Sequence, residues 1–191
     1  MVPSSRRLAA CAVLASCLAV MGATGCSSPE LSPELSQLSV IAVRNPGFTA
    51  PAGVTYAMLP RSRMITSAEA YKGKDLDRLI NDAIEQALEE RGMRRVSSGS
   101  ADVLVGWVGA LDGDLDGQTV SQVFGMDPGL VPGGGALQQY GRGTVVMDVV
   151  RRGDRFPSWR GAVQAVAAPD LDESLRRQRI ERGARLLVSE L

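Results

Sequence analysis

The chain has 191 residues, with 21 basic and 21 acidic side chains, no histidine and three cysteines, all of them within the first 26 positions. A formally neutral chain carries no global basic charge of the kind that marks nucleic-acid binding. The missing histidine excludes a Ser-His-Asp triad, a Cys-His pair and His-ligated zinc or haem.

Arg6 and Arg7 give the N-terminus positive charge, Leu8 to Met21 is uncharged and mostly apolar, and Gly22, Ala23, Thr24 and Gly25 are small. This is the three-part layout of a secretory signal, and its apolar run falls short of the about 20 residues that span a bilayer. The segment Met21-Gly22-Ala23-Thr24-Gly25-Cys26 resembles the lipobox of bacterial lipoproteins, with Ala23 where the family usually has Leu. The resemblance implies that residues 1–25 are a signal peptide and that Cys26 is the lipid-attachment residue and mature N-terminus. Three acyl chains, palmitate among them, would then hold the protein to a membrane leaflet. Two or more chains anchor stably where one does not, at about 0.8 kcal/mol per buried methylene. Ser27, where Asp would imply retention in the inner membrane, implies the periplasmic face of the outer membrane. An ordinary signal peptide with an incidental cysteine is the alternative.

Removing residues 1–25 of the 191 leaves 166, and losing Arg6 and Arg7 leaves 19 basic against 21 acidic residues, a charge of about −2. That length suits one domain. Cys11 and Cys17 lie in the segment to be removed, so the expected mature chain has no thiol, no disulfide and no cysteine metal site. With so few chemical routes left, the expectation is a protein that is not an enzyme and needs no cofactor.

Ser27 to Ser36 reads SSPELSPELS, and residues 26–37 are expected to form a lipidated, flexible tether of roughly 20 Å. Residues 38–191 form the domain. Ser39 to Val43 is a short apolar strand ended by Asn45-Pro46-Gly47, and Val54 to Leu59 is a second strand ended by Pro60. Arg61 to Lys74 reads as a polar loop. From Asp75 to Arg91, the residues Leu76, Leu79, Ile80, Ala83, Ile84, Ala87 and Leu88 trace one stripe of an amphipathic helix, with Asp75 and Asp77 at its positive end and Gly92 at its stop.

Ala101 to Leu111 is apolar on both alternating faces, an interior strand, with Gly106 and Gly109 where something packs closely. Residues 112–142 hold many glycines and prolines, with a small strand expected at Thr119 to Phe124. Thr144 to Val150 and Trp159 to Ala168 are strands joined by the turn Arg152-Gly153-Asp154. Pro169-Asp170 precedes a last helix, Leu171 to Leu191, whose stripe is Ile180, Ala184, Leu187, Val188 and Leu191. The fold class is therefore α+β, a single domain with a mostly antiparallel sheet of about five strands and two packed helices.

The order VTYAMLP, Arg91-Gly92-Met93, Ala101-Asp102-Val103-Leu104-Val105, GTVVMDVV and Trp159-Arg160-Gly161 resembles an uncharacterised family of bacterial envelope lipoproteins, domain of unknown function forty-one thirty-six. Met58 departs from its pattern, which favours Trp there, and so does Arg151, where an acid is common. The resemblance implies an α+β domain with an antiparallel sheet and packed helices, and no activity or catalytic residue. Trp159 and Gly161 read as packing residues.

Asp112-Gly113-Asp114-Leu115-Asp116-Gly117 has the spacing of the first half of an EF-hand loop, but Val123 stands where a bidentate Glu is required. It is either an acidic turn or a weak calcium site. Gly133-Gly134-Gly135 lacks the Gly-Lys-Ser/Thr of a phosphate loop. Arg176, Arg177, Arg179, Arg182 and Arg185 crowd the last helix, most of them away from its apolar stripe, as a solvated face or a surface for anionic headgroups. Asp102, Asp148 and Asp154 are the carboxylates that a histidine-free hydrolase would have to pair.

The expected function is a non-enzymatic binding or structural lipoprotein, held to the membrane by acyl chains and engaging an envelope protein partner but no nucleic acid. The alternatives are a ligand- or calcium-binding lipoprotein using the Asp112–Asp116 turn and the Gly-rich loop, and an atypical carboxylate hydrolase.

Overall fold

Alternation along one strand organises the domain. Val103, Val105 and Trp107 point to one face and enter the core, while Leu104, Gly106 and Val108 point to the other. A computed structural model describes residues 32–33, 35–50, 53–60, 62–65, 69–111 and 142–191. Cys26, Asp112 to Asp116, the expected strand from Thr119 to Phe124 and the run Gly133 to Gly135 lie outside the described residues.

Among the described residues the elements are, in chain order, β1 (Leu38–Arg44), β2 (Thr55–Met58), β3 (Arg63–Ile65), α1 (Leu76–Glu90), β4 (Arg94–Arg95), β5 (Val103–Leu111), β6 (Arg142–Arg151), β7 (Trp159–Val166) and α2 (Glu173–Ser189), with a 3-10 turn at Glu69–Tyr71. Seven strands form one sheet in the order β1-β7-β6-β5-β2-β4, and β3 pairs with β5 on the β2 side. The first three pairings, β1/β7, β7/β6 and β6/β5, are antiparallel. Those of β5 with β2 and β3, and of β2 with β4, are parallel. The sheet is thus mixed and larger than the five mostly antiparallel strands expected. Parallel neighbours need a crossover, and α1 lies in the one that joins β2 to β4.

The stretch Arg61 to Lys74 is not simply a loop. β2 and β3 follow β5 as one interrupted strand, pairing Met58 with Val105 and then Arg63 with Val108. At the break Leu59 N–H donates to Val105 O at 2.7 Å, and Ser62 Oγ accepts from Trp107 N–H at 3.1 Å. A serine hydroxyl thereby stands in for the missing backbone partner. Leu59 turns back over β5, where a Cβ on Gly106 would lie 2.8 Å from Leu59 Cδ1; a Cβ on Gly109 would strike Met64. These are the close approaches that the two glycines imply.

In α1, Leu79, Ile80, Ala83, Ile84, Ala87 and Leu88 are all buried, as the stripe predicts. Asp75 is its N-cap residue and Asp77 lies in its first turn, as expected. Asp75 adopts a left-handed conformation (φ 46°), makes no side-chain cap and pairs with Arg78 at 2.6 Å. Asp77 accepts the Met64 N–H at 2.6 Å and ties the helix to β3. Gly92 ends the helix with φ 86°; its N–H donates to Glu89 O and that of Met93 to Leu88 O, the paired bonds of a Schellman stop. α2 starts two residues later than expected, capped by Asp172, which accepts the Leu175 N–H at 3.0 Å.

Both helices lie on the same face of the sheet. Trp159 is fully buried there and donates from Nε1 to Glu190 O at 3.1 Å. The Trp159 ring lies over Gly161, where a Cβ would meet the ring and would sit 2.8 Å from Leu187 Cδ1. Gly161→Ala should therefore lower stability by about 1–3 kcal/mol, the usual range for overpacking. Urea unfolding measures this, and an unchanged midpoint would contradict the packing described.

Candidate functional site

A helix of 3.6 residues per turn brings positions i, i+3, i+7 and i+11 to one side. In α2 that set includes Arg176, Arg179, Gly183 and Leu187. Two arginines therefore share the buried side of the helix. Arg179 is only 9% exposed, and Arg176 is half-buried. Most of the five arginines lie on the solvated side, as expected, and these two do not. Arg177, Arg182 and Arg185 are exposed, Arg177 pairing with Glu173 and Arg182 donating to Ser36 O. Arg176 and Arg179 turn inward.

Between α1, α2 and the adjoining end of the sheet is an open apolar cavity of about 140 Å³. Small residues keep it from closing: Gly143 on β6, Ala165 on β7, and Gly183 and Ala184 on α2. Ile80 and Ile84 of α1 form the opposite wall. Tyr71, Arg176 and Arg179 supply its polar groups.

These three side chains are under-satisfied. Arg176 Nη2 donates to Pro169 O at 3.1 Å and to Leu171 O, but its Nε is buried without a partner. Arg179 Nε and Nη2 and the Tyr71 hydroxyl are also buried with no hydrogen-bond partner among the described residues. The Ala168 backbone lies near the Tyr71 oxygen without meeting hydrogen-bond geometry.

Burial pushes the Tyr71 phenol above its ordinary range, while Arg179 and Arg176 pull the other way and Asp170 adds to the rise. Burial lowers the Arg179 guanidinium, opposed only by Tyr71; no acid acts on it among the described residues. A guanidinium nevertheless stays charged at neutral pH. A positive charge is thus buried beside an apolar cavity with no negative one beside it among the described residues.

Another arginine shows what a satisfied one looks like here. On the opposite face of the sheet, Arg160 donates from Nε and Nη2 to the two oxygens of Asp148, at 2.6 and 2.7 Å. That commits Asp148. Asp102 accepts from the Thr55 amide and hydroxyl at 2.9 and 2.6 Å, which holds its carboxyl below the usual range. Asp154 accepts from Ser158. Each of the three carboxylates has its own partner, and none lines the cavity. Among the described residues no group of three or more metal-ligating side chains converges. No described helix is long and apolar enough to cross a membrane.

The two departures from the family pattern are structural. Met58 packs against the core. Arg151 sits over the Phe48 ring, 5.2 Å from its centroid, and donates to Gly47 O at 3.2 Å.

Two helices on one face of a mixed seven-stranded sheet, with an apolar cavity between, define a single-domain α+β protein with an internal pocket. The chain belongs to the family described as Domain of unknown function (DUF4136), which matches residues 44–189. Among solved structures it is similar to a protein of this family from Bacteroides thetaiotaomicron, with TM-score 0.50 and 10% identity over 80% of this chain and 95% of that one. At that identity the likeness concerns the fold alone. A PelC dodecamer from Paraburkholderia phytofirmans matches with TM-score 0.44 and 9% identity, over 81% of this chain and 98% of that one. No curated protein matches the chain.

The two arginines differ in a testable way. Arg160→Met strands the partly buried Asp148 and should lower stability by about 1–3 kcal/mol. Arg179→Met removes a buried charge without orphaning any acid and should leave stability unchanged or raise it by about 1 kcal/mol. Chemical denaturation of both variants checks this; a large loss in Arg179→Met would mean that the residue has a structural partner.

Proposed function

We propose that this protein is a lipid-anchored bacterial envelope protein that binds rather than catalyses, tethered through Cys26 to the periplasmic face of the outer membrane. The observation that carries the binding half is the apolar cavity with a buried arginine at its edge that has no counter-charge among the described residues. Pockets that bind small molecules are mostly apolar with a few placed polar groups, which is the composition found here. Buried, unsatisfied donors lower stability, so their presence favours a role in contacting something outside the chain.

A non-enzymatic role fits the side chains at the cavity. Two arginines, which do not exchange protons at neutral pH, and a phenol whose ionisation is pushed up by burial make a poor acid–base pair. The anchoring half rests on the lipobox-like run that ends at Cys26. The domain would then stand on a short tether at the membrane surface, where amphiphilic ligands and other envelope proteins are both within reach.

Palmitate labelling in cells tests the anchor. The wild-type protein should incorporate label and fractionate with the outer membrane. Cys26→Ala should lose the label and either remain unprocessed or leave the membrane. A Cys26→Ala form that still matures and stays membrane-bound would contradict the proposal.

A further inference from the structure

We infer that the cavity between α1, α2 and the sheet is the seat of an anionic amphiphile: a head that presents two oxygens side by side, from a carboxylate or a phosphate monoester, on a short apolar tail. The inference rests on the binding role proposed above and deepens it. Three observations combine.

The first is the edge that Arg179 presents. Its unpartnered atoms are Nε and Nη2. These are the same two atoms with which Arg160 grips both oxygens of Asp148. A guanidinium offers its parallel N–H pair along that edge, and the shape fits two oxygens of one anion, carboxylate or phosphate. At Arg160 the chain supplies the anion itself. At Arg179, among the described residues, it does not.

The second is convergence. Arg176 Nε and the Tyr71 hydroxyl are buried and unpartnered at the same cavity, and each guanidinium acts electrostatically on Tyr71. Arg176 is held by the carbonyls of Pro169 and Leu171, so its remaining donor is fixed in place. A neutral head would leave the buried Arg179 without a counter-charge among the described residues, and a cationic head would be repelled by both arginines. Asp170, the acid acting on Tyr71, is exposed and forms no ion pair with either arginine.

The third is the apolar wall. Ile80, Ile84, Val163 and Ala184 line a space of about 140 Å³. That is close to the size of a cavity that holds one benzene, and it takes a ring or several methylenes of a chain whose remainder leaves through the open side.

The test uses the full chain carrying Cys26→Ala, so that no acyl group of its own competes, and titrates it by calorimetry with probes sharing one eight-carbon tail. Octanoate or octyl phosphate should bind with a stoichiometry of one, and their relative strength identifies the head. Octanol should bind at least about tenfold more weakly, and octyltrimethylammonium should not bind. Arg179→Met should lose the preference for the anions while keeping the octanol affinity. Gly183→Leu, which fills the cavity, should lose every probe, with circular dichroism confirming that it folds. Equal binding of octanol and both anions would overturn the anionic-head inference and leave the cavity reading intact. No binding by any probe would overturn both.

Discussion

The governing constraint is a gap that the core does not close. Two helices share one face of the sheet, and near Trp159 they close it tightly, with Tyr56, Leu88, Met147 and Leu187 fully buried. Around the cavity the lining positions include Gly143, Ala165, Gly183 and Ala184, small residues that leave the space open. Protein interiors ordinarily pack to crystal density, and an open apolar space forfeits both contacts and stability. Placing an arginine there adds a desolvation penalty. Small residues and a buried charge at one place are hard to attribute to folding and easy to attribute to a ligand.

The rest of the structure makes the site rigid. β7 runs from Trp159, sealed at one end of the core, to Val166 at the cavity, so it carries the tight region into the loose one. The 3-10 turn that holds Tyr71 lies between β3 and α1, and Asp77 fixes those two elements to each other. Arg176 is tied to the chain just ahead of its own helix. Donors mounted on elements of this kind keep their positions without a ligand, which limits the ordering penalty when one arrives.

Much of this was legible in the sequence, for physical reasons that differ by element. The α1 stripe and its Gly92 stop are readable because periodicity and a left-handed glycine are local signals. The apolar run of β5, bounded by polar segments, is readable for the same reason. β3 is not: Arg63-Met64-Ile65 has three residues, follows a proline, and is a strand only because β5 offers it an edge. The mixed sheet follows from the parallel pairing of β2 and β3 with β5 and of the two-residue β4 with β2, pairings set by tertiary packing. The cavity was half legible. Five arginines within ten residues look like a solvated face, yet 176, 179, 183 and 187 already follow one helical side. Counting charge obscured what counting position reveals. The under-satisfied donors themselves depend on which groups lie nearby in three dimensions, and no local pattern encodes that.

The central claim is that the side edge of Arg179 is an unfilled anion seat. Its Nε–H resonance in 15N-edited spectra of the full chain reports on that edge directly. The account predicts a distinct, slowly exchanging signal that shifts strongly when octanoate is added and barely moves with octanol. A signal that exchanges as fast as those of the exposed arginines, or one indifferent to octanoate at saturation, would contradict it.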